Sequence, residues 1–296
     1  MESKFDDLVV NINQLFEKKY EIYNHKSPIY LRRVFNRYFI GFLIKFKLYT
    51  RLVDAGFIRS WFEEFKQYWS LVLDGRPLFL NDFHFLLGVY RQKFQSLETP
   101  NNASTKEFLD SWQTDTLYLL FGAVRVYAYN PFTCYHHEKW ISHGDDVLEY
   151  GCGIAPLTNY LLNFSLKRKL NLTIADIRQI NSHYARERFG ERVNFIEIEP
   201  YINPLVGKNY NVIFLITVME HLPDPLKTVE HLTASLKKDG IFIFDYILGD
   251  GDGHDTIEAV DQREEVLQFI GKKYDILSGA LTIEKSMGAT VCRLKS

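Results

Sequence analysis

The chain holds only three cysteines in 296 residues, Cys134, Cys152 and Cys292, too few and too odd in number for a disulfide framework. Their scatter also gives no zinc-ligand spacing. Net charge is nearly as scarce: 35 Lys and Arg stand against 37 Asp and Glu, a formal balance of -2. That excludes a general nucleic-acid-coating surface and leaves room only for local basic patches. Long apolar runs are missing as well. The nearest, Tyr38 to Ile44, is cut off by Lys45 and Lys47, far short of the ~20 residues a membrane span requires. The opening Met-Glu-Ser-Lys-Phe-Asp-Asp places acids where a secretory signal needs a basic start and an apolar stretch. These absences predict a cytoplasmic protein in a reducing compartment, without a transmembrane segment.

What is present is apolar material: 46% hydrophobic and 15% aromatic residues, enough for a sizeable core and too much for a disordered or fibrous chain. Length and a change of texture near Gly144-Asp145 predict two units, a helical region over 1–140 and a second domain over 141–296. Helices are expected over Phe5–Tyr23, Ile29–Val53, Ile58–Leu73, Asn81–Ser96 and Thr105–Tyr129. The second of these repeats apolar residues at three-and-four spacing. Between Glu21 and Asp54 it also carries no acid and seven bases: Lys26, Arg32, Arg33, Arg37, Lys45, Lys47 and Arg51. Two readings stay open here. Clustered cations attract phosphates and lipid headgroups, so the segment meets an anionic substrate, a phosphorylated carrier or a membrane surface; or it is a solvated helix face, its aromatic residues buried.

After Gly144 short apolar runs alternate with helical segments. Strands are expected at Asp146–Tyr150, Leu172–Ile177, Val193–Glu199, Asn211–Val218 and Gly240–Ile247, with helices at Ala155–Phe164, Ile180–Phe189 and Leu226–Leu236 between them. Such alternation implies a parallel sheet covered on both faces, a doubly wound α/β fold. A helix over Thr256–Tyr274 and antiparallel strands at Asp275–Leu277, Leu281–Lys285 and Ala289–Leu294 are expected to complete the edge. Ligands of such sheets bind beyond the carboxyl ends of the strands.

Val147-Leu-Glu-Tyr-Gly-Cys-Gly-Ile-Ala-Pro156 ends a strand and opens a helix, with glycines where side chains would keep a ligand from the backbone. A dinucleotide fingerprint would want glycine at position 156, which is Pro. With Glu149 two residues before the first glycine, the loop resembles the first motif of the class I S-adenosylmethionine-dependent methyltransferases, Ala155 standing in for a third glycine. The resemblance continues through Asp176 at the end of Leu-Thr-Ile-Ala-Asp, 23 residues after Gly153, where the family places an acid on the ribose hydroxyls. It continues through Glu199, where the family usually has Asp near the adenine. Its most specific match is Asn211-Val-Ile-Phe-Leu-Ile-Thr-Val-Met-Glu-His-Leu-Pro-Asp-Pro225. It covers roughly residues 140–296.

The resemblance implies a mainly parallel seven-stranded sheet with S-adenosyl-L-methionine as cofactor. The cofactor would be held by Glu149, Tyr150, Gly151, Cys152 and Gly153, by Asp176 and Ile177, by Glu199, and by Thr217 and Met219. His221 and His254 are the candidate bases, since imidazole titrates near neutral pH and both follow strand ends. Cys152 is expected to be chemically inert. The Asp250, Asp252 and Asp255 loop is read as a turn rather than a cation site, with Asp255 and Glu258 capping the next helix. No metal is expected. The ubiquinone-type O-methyltransferases resemble the chain at Glu220-His221 and Pro223-Asp224-Pro225, but their further acid is Thr217 here.

No Asn/Asp-Pro-Pro-aromatic motif follows strand four and no Pro-Cys nucleophile is present, so nucleic-acid bases are not expected as acceptors. The expected reaction is methylation of an oxygen on a small or carrier-bound molecule, with Tyr127, Tyr129 and Tyr135 as candidate lining. Alternatives are a glycan or nucleotide-linked sugar acceptor, and a non-catalytic partner that keeps the fold. The helical region is expected to serve as a substrate lid or a homodimer contact.

Overall fold

The computed structural model describes residues 10–18, 20, 30–58, 60–96, 110, 117–199, 202–247 and 255–295. Among them one seven-stranded sheet forms, in the order β3-β2-β1-β4-β5-β7-β6. The strands are β1 (Asp146–Tyr150), β2 (Asn171–Asp176), β3 (Asn194–Glu197), β4 (Tyr210–Leu215), β5 (Leu236–Tyr246), β6 (Tyr274–Ser278) and β7 (Met287–Leu294). The first five pair in parallel, and β7 runs antiparallel between β5 and β6. The apolar runs are continuous because both faces are covered. Along β4, Val212 and Phe214 enter one core and Ile213 and Leu215 the other, the period-two alternation of a strand. The expected doubly wound class I sheet is therefore what forms.

The edge departs from expectation. Leu281–Lys285 is irregular rather than a strand. Its carbonyls are claimed by one side chain: Arg263 donates to the backbone oxygens of Thr282 (2.9 Å), Ile283 (3.0 Å) and Lys285 (2.7 Å), and to that of Tyr246 (3.0 Å). These bonds fasten the segment to a guanidinium rather than to a neighbouring strand. The helix expected over Thr256–Tyr274 is divided at Gln262 into Ile257–Asp261 and Arg263–Lys273. Its N-cap is Thr256, whose hydroxyl accepts from the Ala259 N–H at 3.1 Å, rather than the expected Asp255.

The N-terminal region is helical: α1 (Ile12–Glu17), α2 (Tyr30–Lys45), α3 (Tyr49–Asp54), α4 (Ser60–Leu71), α5 (Leu80–Ser96) and α6 (Leu117–Ala123). The helix expected over Ile29–Val53 breaks between α2 and α3, where Lys47 takes a left-handed φ of 56°. Phe65, Phe83, Phe121 and Trp69 pack edge-on and stacked in its core. Ile154, Ile180 and Tyr184 of the second unit belong to that same cluster, so the two units share apolar burial. The Arg188 guanidinium pairs with Glu64 across them at 2.6 Å.

Of the two readings left open for this segment, the one that buries its aromatic residues fails: α2 turns Phe35, Tyr38, Phe39 and Phe42 outward. Its inward arginines take the polar contacts: Arg37 pairs with the buried Glu138 at 2.9 Å, and Arg33 reaches the Lys167 carbonyl at 3.5 Å. Glu138 also accepts from the Tyr160 and Ser165 hydroxyls (2.5 and 2.9 Å). Burial alone would raise its carboxyl, but these bonds and Arg37 outweigh it and leave the pKa lowered.

Candidate functional site

The site begins where β1 ends. Ala155 takes a left-handed φ of 53°, and the helix Pro156–Asn163 starts directly after it with no side-chain cap from that residue. Glu149 caps it instead. Its carboxylate accepts the N–H groups of Leu157 (3.1 Å) and Thr158 (2.8 Å) and the Thr158 hydroxyl (2.7 Å). An acid at a helix N-terminus meets unpaired N–H donors and the positive dipole end. Burial still dominates and pushes the Glu149 carboxyl up to about 7.

The two loop glycines serve different needs. Gly151 sits at φ 67°, and a Cβ there would strike the Val218 side chain at 2.4 Å. Gly153, at φ 52°, would present its Cβ to nothing within 4 Å. Open space at Gly153 is the room a ligand lying on the backbone needs. Asp176, at the end of β2, is buried and receives the N–H of Gly153 (2.6 Å), that of Ile177 (2.7 Å) and the Gln179 amide (2.9 Å). Burial nonetheless raises its carboxyl to about 6.

These residues line one cavity of about 570 Å³, together with Tyr150, Cys152, Ile177, Glu199, Thr217 and His221. Ten of the twelve residues singled out by sequence therefore line one cavity. Met219 does not: it is fully buried in the apolar core beside the β4 turn and is not a lining residue. His254 lies outside the described residues, as do Asp250 and Asp252. Cys152 is buried, and burial raises its thiol well above the ordinary value, which removes thiolate chemistry. Among the described residues no cluster of three or more His, Cys, Asp or Glu is placed to hold a metal.

Part of the lining comes from the helical region. Leu119 and Ala123 of α6 and Tyr127 of the wide π-helical turn Val124–Ala128 line the same cavity as the loop. Tyr129 and Tyr135 do not line it. The Tyr129 hydroxyl donates to Asp54 at 2.6 Å, and Tyr135 is exposed beneath the Arg37 guanidinium.

Lining residues that escaped sequence reasoning include His136, His137 and Asp245. Burial drives the His137 imidazole down to about 4, keeping it neutral at pH 7. Asp245 near the end of β5 accepts the Thr217 N–H at 2.6 Å, and burial raises it to about 6. That bond holds Thr217 at a left-handed φ of 53°, strained for a β-branched residue. An acid inside an aromatic strand, and a His pair directly before the expected boundary, were the available signals.

The acceptors on this lining suit a ligand rich in hydroxyl and amino donors. Asp176 offers a carboxylate to vicinal hydroxyls, and Glu199 is exposed further along the wall. The side-chain oxygens of Gln179 and Asn181 are buried without partners and also line the cavity. Buried unpaired acceptors are costly unless a donor arrives.

Residues 132–273 match a family model described as a methyltransferase domain. Similar solved structures include a SAM-dependent methyltransferase from Aquifex aeolicus, at 15% identity over 66% of this chain and 100% of that one, TM-score 0.43. Another is the Burkholderia thailandensis 1,6-didemethyltoxoflavin-N1-methyltransferase, at 15% over 68% and 94%, TM-score 0.44. A third is an O-methyltransferase family protein from Burkholderia thailandensis, at 13% over 73% and 70%, TM-score 0.46. No curated protein matches the sequence.

Proposed function

We propose that the C-terminal half of this chain, over which the methyltransferase-domain model matches, is a class I methyltransferase domain that takes S-adenosylmethionine as its cofactor and methylates an oxygen of a small, largely apolar acceptor. The observation that carries this reading is the shared cavity, with Gly151 and Gly153 on one side and Leu119, Ala123 and Tyr127 of the helical region on the other. A concave, mostly apolar space with a few convergent polar groups suits a small molecule. The Arg32 to Arg51 cations that a phosphate-bearing acceptor would use do not line it.

When bound, S-adenosylmethionine would supply an electrophilic sulfonium methyl to an acceptor oxygen held in line with it, with the C–S bonding pair returning to sulfur. The protein's part is to hold and orient. Asp176 accepts the ribose hydroxyls, Gly153 lets the ligand approach the backbone, and Glu199 faces the base. At the other end the acceptor hydroxyl passes its proton to His221, after β4, or to Asp245, near the end of β5, both of which line the cavity. A carboxyl near pH 6 is a competent general base at neutral pH. Tyr127, its phenol raised by burial, remains protonated and orients the acceptor oxygen.

The test is transfer of labelled methyl to a panel of phenols and apolar alcohols beside nucleotide-linked sugars. Asp245→Asn keeps an oxygen for the Thr217 N–H, and His221→Asn removes the imidazole. Loss of kcat by about 10²–10⁴ in one of them, with S-adenosylhomocysteine affinity unchanged, identifies the base. Cofactor binding without turnover on any acceptor would instead favour a non-catalytic partner.

A further inference from the structure

The helix α2 is apolar on both sides: Ile40, Leu43 and Ile44 pack on the core, and its outer face is not accounted for by methyl transfer. Leu31, Phe35, Tyr38, Phe39, Phe42 and Phe46 are all exposed, the first three at 74%, 65% and 68%. At 3.6 residues per turn these six fall within an arc of about 100°. Phe35 stacks on Phe39 at 5.5 Å between ring centroids, and Phe42 meets Phe46 at 4.6 Å, so the rings touch one another along a single stripe. Contiguous apolar surface of this kind marks an interaction site rather than ordinary exposure.

The charges around the stripe select the partner. On the same helical projection Arg32 lies just beyond one edge of the arc and Lys45 just beyond the other. Lys47 and Arg51 follow, all four being exposed, and no acid occurs between Glu21 and Asp54. The arginines of the opposite side, Arg33 and Arg37, are the ones bonded to Lys167 and Glu138, so the helix is fastened with its aromatic stripe outward. A second copy meeting this face across a two-fold axis would bring cations against cations. A surface that is apolar within and anionic at its boundary satisfies both features at once.

We propose that α2 docks the protein on an anionic lipid bilayer, lying in the plane of the interface with Phe35, Phe39, Phe42 and Phe46 below the headgroups and Arg32, Lys45 and Lys47 among them. The association is peripheral. No helix among the described residues is long and apolar enough to cross a membrane.

Co-sedimentation of the full chain with vesicles tests this independently of catalysis. Binding to phosphatidylcholine vesicles containing about 30% phosphatidylglycerol should exceed binding to phosphatidylcholine alone by tenfold or more, and weaken as salt is raised. The double variant F39S/F42S should lose at least tenfold while keeping its melting temperature and its affinity for S-adenosylhomocysteine. K45E/K47E should lose only the dependence on anionic lipid. Three results would overturn the proposal. One is no vesicle binding at either composition. Another is a concentration-dependent dimer abolished by F39S/F42S, which assigns the stripe to a second copy. The third is a large drop in melting temperature for F39S/F42S, which assigns it to packing within the chain.

Discussion

The Tyr68 hydroxyl stands 2.8 Å from Nδ1 of His183, while Nε2 of the same ring faces the Leu15 carbonyl at 3.0 Å. A carbonyl only accepts, so the ring carries its proton on Nε2 and takes the Tyr68 proton at Nδ1. Burial pushes this imidazole down to about 4, so it stays neutral. One histidine thereby ties α1, α4 and the helix Ile180–Phe189 together, and with them the helical region to the cofactor domain.

Tyr68→Phe removes the donor and leaves Nδ1 buried and unpaired. The expected loss is about 1–3 kcal/mol, read as a lower urea midpoint at unchanged slope. An unaltered midpoint would mean that the bond contributes nothing across this junction.

Asp176 yields a pH signature in cofactor affinity. Its carboxyl, raised to about 6 by burial, must be ionised to accept two hydroxyls at full strength. Affinity for S-adenosylhomocysteine is therefore expected to be flat above pH 6 and to fall by up to tenfold per pH unit below it, measured by calorimetry. Asp176→Ala should bind about 10–100-fold more weakly, because hydrogen bonds to a charged group are worth roughly 1.5–3 kcal/mol, and should lose that pH dependence.

Glu220 governs stability at alkaline pH. Burial raises its carboxyl to about 8, and one of its oxygens has no partner. A native pKa above the unfolded value means that the native state binds the extra proton between roughly pH 4.5 and 8, so stability falls as pH rises through that window. Glu220→Gln cannot ionise. It should match the wild type within about 1 kcal/mol at pH 5 and exceed it by about 2 kcal/mol or more at pH 9, by denaturant titration at both values. Equal differences at the two pH values would show that the acid is not buried as a neutral group.

Arg263→Met keeps the apolar stem and strips four carbonyls of their donor. Amide hydrogen exchange over residues 279–286 should accelerate, and the protein should lose on the order of 3 kcal/mol. Protection unchanged there would leave the loop without its identified anchor.

Much of the domain was legible because its signals are local. Strand runs of Val, Ile, Leu and Phe read as buried on both sides, the glycine loop declares a backbone that must take positive φ, and Asp224-Pro225 opens a helix with a capping acid whose carboxylate meets the Lys227 N–H at 3.1 Å. Asp245, His136 and His137 were not legible. An acid inside an aromatic strand and a His pair before the boundary are faint signals, and neither says whether the side chain will face a cavity or water. The same holds for Leu281–Lys285, a passable strand until an arginine 18 residues before it takes the carbonyls.

The amino-acid order alone determined the sheet, the cofactor loop and the acid at the end of β2, since these depend on periodicity and on backbone conformations that particular residues permit. Only the folded chain decided which face of α2 looks outward, which side of the cavity the helical region closes, and which buried acids stay protonated. Those outcomes depend on groups far apart in sequence competing for the same partners and the same exclusion from water, a competition settled only once the chain has packed.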